Sequence, residues 1–218
     1  MSFKYEMARF IPFRDAEVCA RVRAIPRERI TEHPNPDFRI RVIDDRAEFY
    51  AAFATDIVTR IKQALDEGRQ FVGIFPVGPM PQYPIAAEMI NRLRIPMHHV
   101  HTFNMDEYAD QDGNTAPRDW EGSFQRAMWE SFFSRIDPDL RPPEKQIHFP
   151  TTDVIKDYSK MIADMGGADV CYGGIGWCGH IAFWEAHLGD EFGDDLEAYK
   201  RAGARLVELH PMTIMQNA

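Results

Sequence analysis

Cysteine is scarce in this 218-residue chain: Cys19, Cys171 and Cys178 are too few for a disulfide framework, and no two of them form a C-x-x-C metal pair. That usage suits a reducing compartment. No apolar run approaches the roughly 20 residues that span a bilayer, and the opening stretch MSFKYEMARFIPFRDAEV is too charged for a secretory leader. The expectation is a cytoplasmic protein with no membrane partner. A basic stripe is also lacking. Lys and Arg number 25 against 34 Asp and Glu, leaving a net charge of −9, and the cations are scattered. Without a surface to neutralise phosphates, a nucleic-acid partner is excluded. There is no low-complexity tract, internal repeat or long linker.

What is present is a chain that is 44% hydrophobic, enough for a substantial core. Residues 45–69 place Phe49, Phe53, Ile57, Ile61 and Leu65 at a spacing of four, one stripe of a helix. A strand at 70–76, a helix at 82–93 and a strand at 98–105 follow. The order then continues as helix 122–135, strand 146–149, helix 153–165 and strand 168–172. Strands separated by helices imply parallel pairing through right-handed crossovers, hence an α/β three-layer sandwich with a mainly parallel sheet. Residues 41–218 read as one domain. Residues 1–40, rich in Arg and Pro, read as an extension that wraps this domain or a neighbouring subunit.

Two strand ends carry the polar residues of interest. ADVCY (168–172) runs into GGIGWCGHIAFWE (173–185), where glycines remove Cβ atoms and Cys178, His180 and Glu185 follow in close succession. VHTFNM (100–105) runs into Asp106-Glu107-Tyr108. In an open parallel sheet the carboxyl ends of strands line one crevice, so both motifs are expected to face one small molecule. Taken alone, Asp106 is a strand-end acid capping the next turn, and His180 a structural group beside glycines. Trp177 and Trp184 each read equally as core filler or as a platform for a sugar face.

TFNMDEY (102–108) and GIGWCGHIAFWE (174–185) resemble the signature motifs of glucosamine-6-phosphate deaminase, also called glucosamine-6-phosphate isomerase. Ser123-Phe124 and MWESFFSRID (128–137) resemble the helix that follows the DEY loop, and a weaker likeness runs from Phe71 to the C-terminus. The resemblance implies a Rossmann-like fold and aldose-ketose isomerisation of an amino sugar or sugar phosphate, coupled to loss of ammonia. It calls for no cofactor and no metal, a small-molecule sugar as partner, and association into a homo-oligomer. It assigns Asp106 as the base at C2, His180 as the ring-opening acid/base and Glu185 as its orienting partner. Gly78, Glu107, Tyr108, Gly174, Gly176, Trp177, Cys178, Gly179 and Trp184 fall at substrate-binding positions.

Departures from the family pattern are equally specific. Cys178 stands where the family has an aspartate, and a thiol carries no charge to support a protonated imidazole. FPVGPMP (75–81) replaces the phosphate-cradling LPTGxTP loop: Pro79 has no N–H and Met80 no hydroxyl. In MTIMQN (212–217), which resembles the DTRxxN segment, Ile214 replaces the phosphate-binding arginine. A sugar without a 6-phosphate is therefore the expected ligand. The family pattern also continues past Ala218 with a further strand, helix and strand. Two alternatives stay open: a hydrolase like 6-phosphogluconolactonase, against which the DEY motif argues, and a sugar-binding protein that has lost the chemistry.

Overall fold

The computed structural model describes residues 15–217, so the first part of the expected extension, residues 1–14, lies outside the described residues. Its described part contains α1 (Ala16–Arg23), capped by the Asp15 side chain and burying none of its residues. The first long helix, α2 (Arg46–Asp66), starts where Asp45 accepts the Glu48 N–H at 2.8 Å, an N-cap that satisfies one of the free first-turn donors. Its buried face consists of Ala54, Ile57, Val58, Ile61 and Ala64. Ile57 and Ile61 belong to the expected stripe, but Phe49 is exposed and Phe53 and Leu65 are only half-buried. Phe53 and Leu65 pack against the margin of the core that these residues form.

Four strands follow: β1 (Phe71–Phe75), β2 (Val100–Asn104), β3 (Ile147–His148) and β4 (Val170–Cys171). They pair in parallel throughout in the order β3-β2-β1-β4. Helices α3 (Gln82–Leu93), α4 (Phe124–Ser131) and α5 (Tyr158–Asp164) form the crossovers. Alternation along β1 divides the core. Phe71 and Phe75 pack with α2, α3 and the α4 region, whereas Val72 and Ile74 join Phe103, Tyr158, Met161 and Ile162 on the opposite face. This is the expected three-layer α/β sandwich. Gly73 is required between the two phenylalanines, since a Cβ there would lie 2.5 Å from the Phe75 ring and 2.8 Å from that of Phe71.

Two expected helices are shorter than their hydrophobic patterns. The first ends at Ser131, and the chain then tightens into a 3-10 turn at Phe133–Arg135 that buries Phe132, Phe133 and Ile136. Residues 153–157 form turns before α5 begins. Beyond β4 lie α6 (Leu196–Arg201) and α7 (Pro211–Asn217). No helix among the described residues is long and apolar enough to cross a membrane. Because β1 leads to β2 on one side while β4 returns to its other side, the strand order reverses between β1 and β4, the place where a parallel sheet opens a crevice at its carboxyl ends.

Candidate active site

The loops after β1, β2 and β4 meet at this reversal. Gly174 has no Cβ, and one built there would lie 3.0 Å from the carbonyl oxygen of Gly78, so the β4 and β1 loops touch backbone to backbone. Gly78 itself holds φ +103°, a conformation that favours glycine. A Cβ at Gly173 would contact Met105, the residue after β2, at 3.5 Å. Met105 continues the sheet ladder by donating its N–H to the Phe75 carbonyl at 2.9 Å. Asp106 therefore leaves the sheet beside the Gly173–Gly174 turn.

Within the DEY segment the three side chains do different work. Glu107 accepts the backbone N–H groups of Tyr108 at 2.9 Å, Phe124 at 3.0 Å and Gln125 at 2.8 Å, and the Ser123 hydroxyl at 3.1 Å. Its carboxylate thus occupies the N-terminus of α4, where free donors and the helix dipole favour an anion, and its oxygens are taken up in that role. Asp106 is enclosed beside it, and its Oδ1 has no hydrogen-bond partner. Burial, with the Glu107 charge adding to it, pushes the Asp106 carboxyl up to about 7. Burial likewise raises the Tyr108 phenol to about 12. Asn104 supports the turn by donating its amide to the Asp106 carbonyl at 2.7 Å.

The segment from 173 to 185 folds into a tight loop. Gly176 donates to the His180 carbonyl at 2.9 Å, Gly179 donates to Gly176 at 2.9 Å, and Trp184 donates to Ile181 at 2.9 Å. Ala182 and Phe183 both hold positive φ, 55° and 58°, a backbone strain that non-glycine residues keep only where the surroundings enforce it. One constraint is visible in the packing. Phe183 is buried against Tyr108, Phe124 and His180, with ring centroids 5.8, 6.2 and 5.3 Å away. This aromatic seam joins the DEY loop to the Gly-His loop. A Cβ at Gly176 would lie 2.1 Å from His180 Nε2, so the imidazole rests on bare backbone.

Three buried side chains converge with His180. Its Nδ1 lies 3.0 Å from Cys178 Sγ, 3.0 Å from Thr213 Oγ1 and 3.7 Å from Glu185 Oε1. Cys178 and Thr213 are themselves 3.0 Å apart. The second oxygen of Glu185 accepts the His210 N–H at 2.7 Å, whereas Oε1 has no hydrogen-bond partner. Thr213 enters the sequence reading only as part of the segment containing Ile214; its burial at the His180 ring is visible only once α7 is in place. Trp177 is exposed, with its backbone N–H on Gln216 Oε1 at 2.9 Å. Trp184 is spent on packing, at 6.1 Å from Phe192 and 5.3 Å from Tyr199, with the Arg205 guanidinium 4.9 Å over its ring. A cleft of about 340 Å³ opens elsewhere, between Arg118, Trp129, Lys145 and His148, and no predicted site residue lines it.

No family model matches the chain. It is 36% identical over 151 residues to a glucosamine-6-phosphate deaminase of Caenorhabditis elegans, a match covering 66% of this chain and 54% of the relative. A glucosamine-6-phosphate deaminase of Dictyostelium discoideum is 38% identical over 125 residues, covering 55% of this chain and 44% of the relative. The chain thus spans about half the length of the curated relatives it matches. Among solved structures, a monomeric glucosamine-6-phosphate deaminase of the NagB superfamily superposes with a TM-score of 0.64 at 21% identity, over 81% of this chain and 67% of that one. The 6-phosphogluconolactonase of Thermotoga maritima superposes with a TM-score of 0.50 at 24% identity, over 67% and 64%. At these identities the two structures establish the fold.

Proposed function

Because the chain belongs to the glucosamine-6-phosphate deaminase superfamily, we propose that it binds an amino sugar in the crevice between β1 and β4 and moves a proton between its C2 and C1 carbons, with release of ammonia. The observation that carries this reading is Asp106: an enclosed carboxyl at a strand end, pushed up to about 7. Such a group exists in both protonation states near neutrality. It takes a proton from C2 as the carboxylate and returns it to C1 as the acid, the match of proton affinity to task that general acid–base catalysis needs.

His180 is the ring-opening group in this reading. Its ring is held by Gly176 beneath and Phe183 beside it, and Glu185 at 3.7 Å supplies the negative charge near Nδ1. Cys178 hydrogen-bonds the same nitrogen but contributes no charge as a thiol. Glu107 acts as a positioning residue, tying the DEY loop to α4 and placing a like charge near Asp106. Pro79, Met80 and Ile214 favour a substrate without a 6-phosphate.

The test is turnover. Glucosamine and other amino sugars, with and without a 6-phosphate, are incubated with the protein, and ammonia and ketose are measured; Asp106→Asn removes both products while leaving the fold intact. A second reading, a sugar-binding protein without chemistry, is favoured by Cys178 at the acid's position. It predicts saturable sugar binding with no ammonia and no ketose from the unaltered chain.

A further inference from the structure

The donors around His180 are arranged differently from a nucleophile relay. In a relay the thiol and the carboxylate engage opposite nitrogens of the imidazole. Here Cys178 Sγ and Glu185 Oε1 both face Nδ1, at 3.0 and 3.7 Å, and the Nε2 edge lies against the backbone of Gly176. One ligand atom from each of Cys178, His180 and Glu185 lies within 4.8 Å of the other two. Metal bonds of about 2.3 Å to sulfur and about 2.0–2.2 Å to nitrogen and oxygen give tetrahedral ligand–ligand edges of about 3.4–3.6 Å, so small shifts bring these atoms onto one ion. Thr213 Oγ1 lies 3.0 Å from both Sγ and Nδ1 and is a fourth oxygen at the cluster.

The second observation is the unpartnered oxygen. The Glu185 side chain is only 2% exposed, and its Oε1, aimed at this cluster, accepts no hydrogen bond. A carboxylate oxygen taken out of water without a donor is costly, and a cation supplies what a donor would. We propose that Cys178, His180 and Glu185 bind a zinc ion, with Thr213 completing the coordination. On binding, the Cys178 thiol releases its proton to solvent and the imidazole binds through its Nδ1 lone pair. Thiolate and carboxylate then balance the 2+ charge, leaving a neutral buried centre. The thiolate and imidazole select zinc over magnesium or calcium, which prefer all-oxygen sites. The C-x-H-x₄-E spacing resembles no common sequence pattern, and only the loop fold assembles it. Zinc on Nδ1 would take up the Glu185 charge and bar protonation of that nitrogen, so the metal-bound form is an alternative to the ring-opening arrangement proposed above and not a part of it; its test reads metal, and turnover is not needed.

The full chain, stripped by a chelator, is titrated with Co²⁺ and then with Zn²⁺. A thiolate-to-cobalt charge-transfer band saturating at one ion per chain, and displaced by zinc, is expected. Cys178→Ser abolishes the band and weakens zinc binding at least about a hundredfold, the upper end of the loss seen when only a ligand's supporting partner is removed. The double variant Cys19→Ser, Cys171→Ser keeps the band. Circular dichroism shows whether Cys178→Ser is folded. If it is not, Glu185→Gln decides, keeping the charge-transfer band with zinc affinity lowered at least about tenfold. No charge-transfer band in the unaltered chain at saturating Co²⁺, a band that survives Cys178→Ser, or a Glu185→Gln affinity equal to the parent's would overturn the site.

Discussion

At Asp106 two requirements pull against each other. Enclosure gives the carboxyl the proton affinity its proposed task needs, and the same enclosure makes the ionised form unwelcome in the folded protein. The folded-state value, about 7, lies above the ordinary 3.8, so the favoured folded form is the neutral acid. Its contribution to stability is complete below about pH 4 and is lost as pH rises to about 7. Asp106→Asn removes that dependence along with the base. Thermal melts from pH 4 to pH 8 are therefore expected to show the variant gaining on the parent as pH rises while its turnover is lost; a constant offset would mean that the carboxyl does not titrate in this window. Glu107 gives a second handle. Replacing it with Gln removes the like charge, lowers the Asp106 pKa and moves the acid limb of the pH–rate profile to lower pH, with some loss of stability from the weakened α4 cap. An acid limb that stays put or moves upward would contradict the coupling.

Among the elements, what the sequence revealed was what local patterning controls. Helix 82–93 and the strands at 70–76 and 98–105 were legible because apolar periodicity and short β-branched or aromatic runs decide them, and the structure holds them as α3, β1 and β2. The lengths of α4 and α5 were not legible, because turns before α5 and a 3-10 turn after α4 replace helical residues whose apolar pattern is compatible with either. The same limit applies to the candidate site. Cys178, His180 and Glu185 are neighbours in sequence, so their grouping was readable; Thr213 arrives from α7, more than thirty residues on, and no local signal announces it. Glu107 could not be told from a ligand-binding acid until the start of α4 was seen against it. Gly176 tests how the loop works. A methyl group there meets the imidazole at 2.1 Å and must displace it. Gly176→Ala is expected to lower turnover at least about a hundredfold, the loss typical of a misplacement of about 1 Å, together with a lower melting temperature from the overpacked loop. Unchanged turnover would show that the His180 ring position is immaterial.

For the whole molecule, the strand order that places the crevice between β1 and β4 also decides what would surround the proposed sugar. The β1 loop offers Pro79, whose nitrogen has no hydrogen, and α7 offers Ile214, 53% exposed and without charge. Arg118 lies over Trp129 and pairs with Glu144, and Arg126 pairs with Glu130. An intact anion site would favour a phosphorylated sugar by several kcal/mol, at about 1.5–3 kcal/mol for each charge-assisted hydrogen bond. Calorimetry is therefore expected to find glucosamine 6-phosphate bound no more tightly than glucosamine. A clear preference for the phosphate would mean that groups other than those named here form the anion site.

The central claim is that Asp106 carries a proton between two sugar carbons, and the most direct measurement is isotope exchange. Amino sugar is incubated with the protein in deuterated water, and carbon-bound deuterium in recovered substrate and product is followed by NMR. The account predicts incorporation with the unaltered chain and none with Asp106→Asn, since the shuttled proton exchanges with solvent while it resides on the carboxyl. Sugar that binds but gains no deuterium from the unaltered chain, or incorporation that persists in Asp106→Asn, would contradict it.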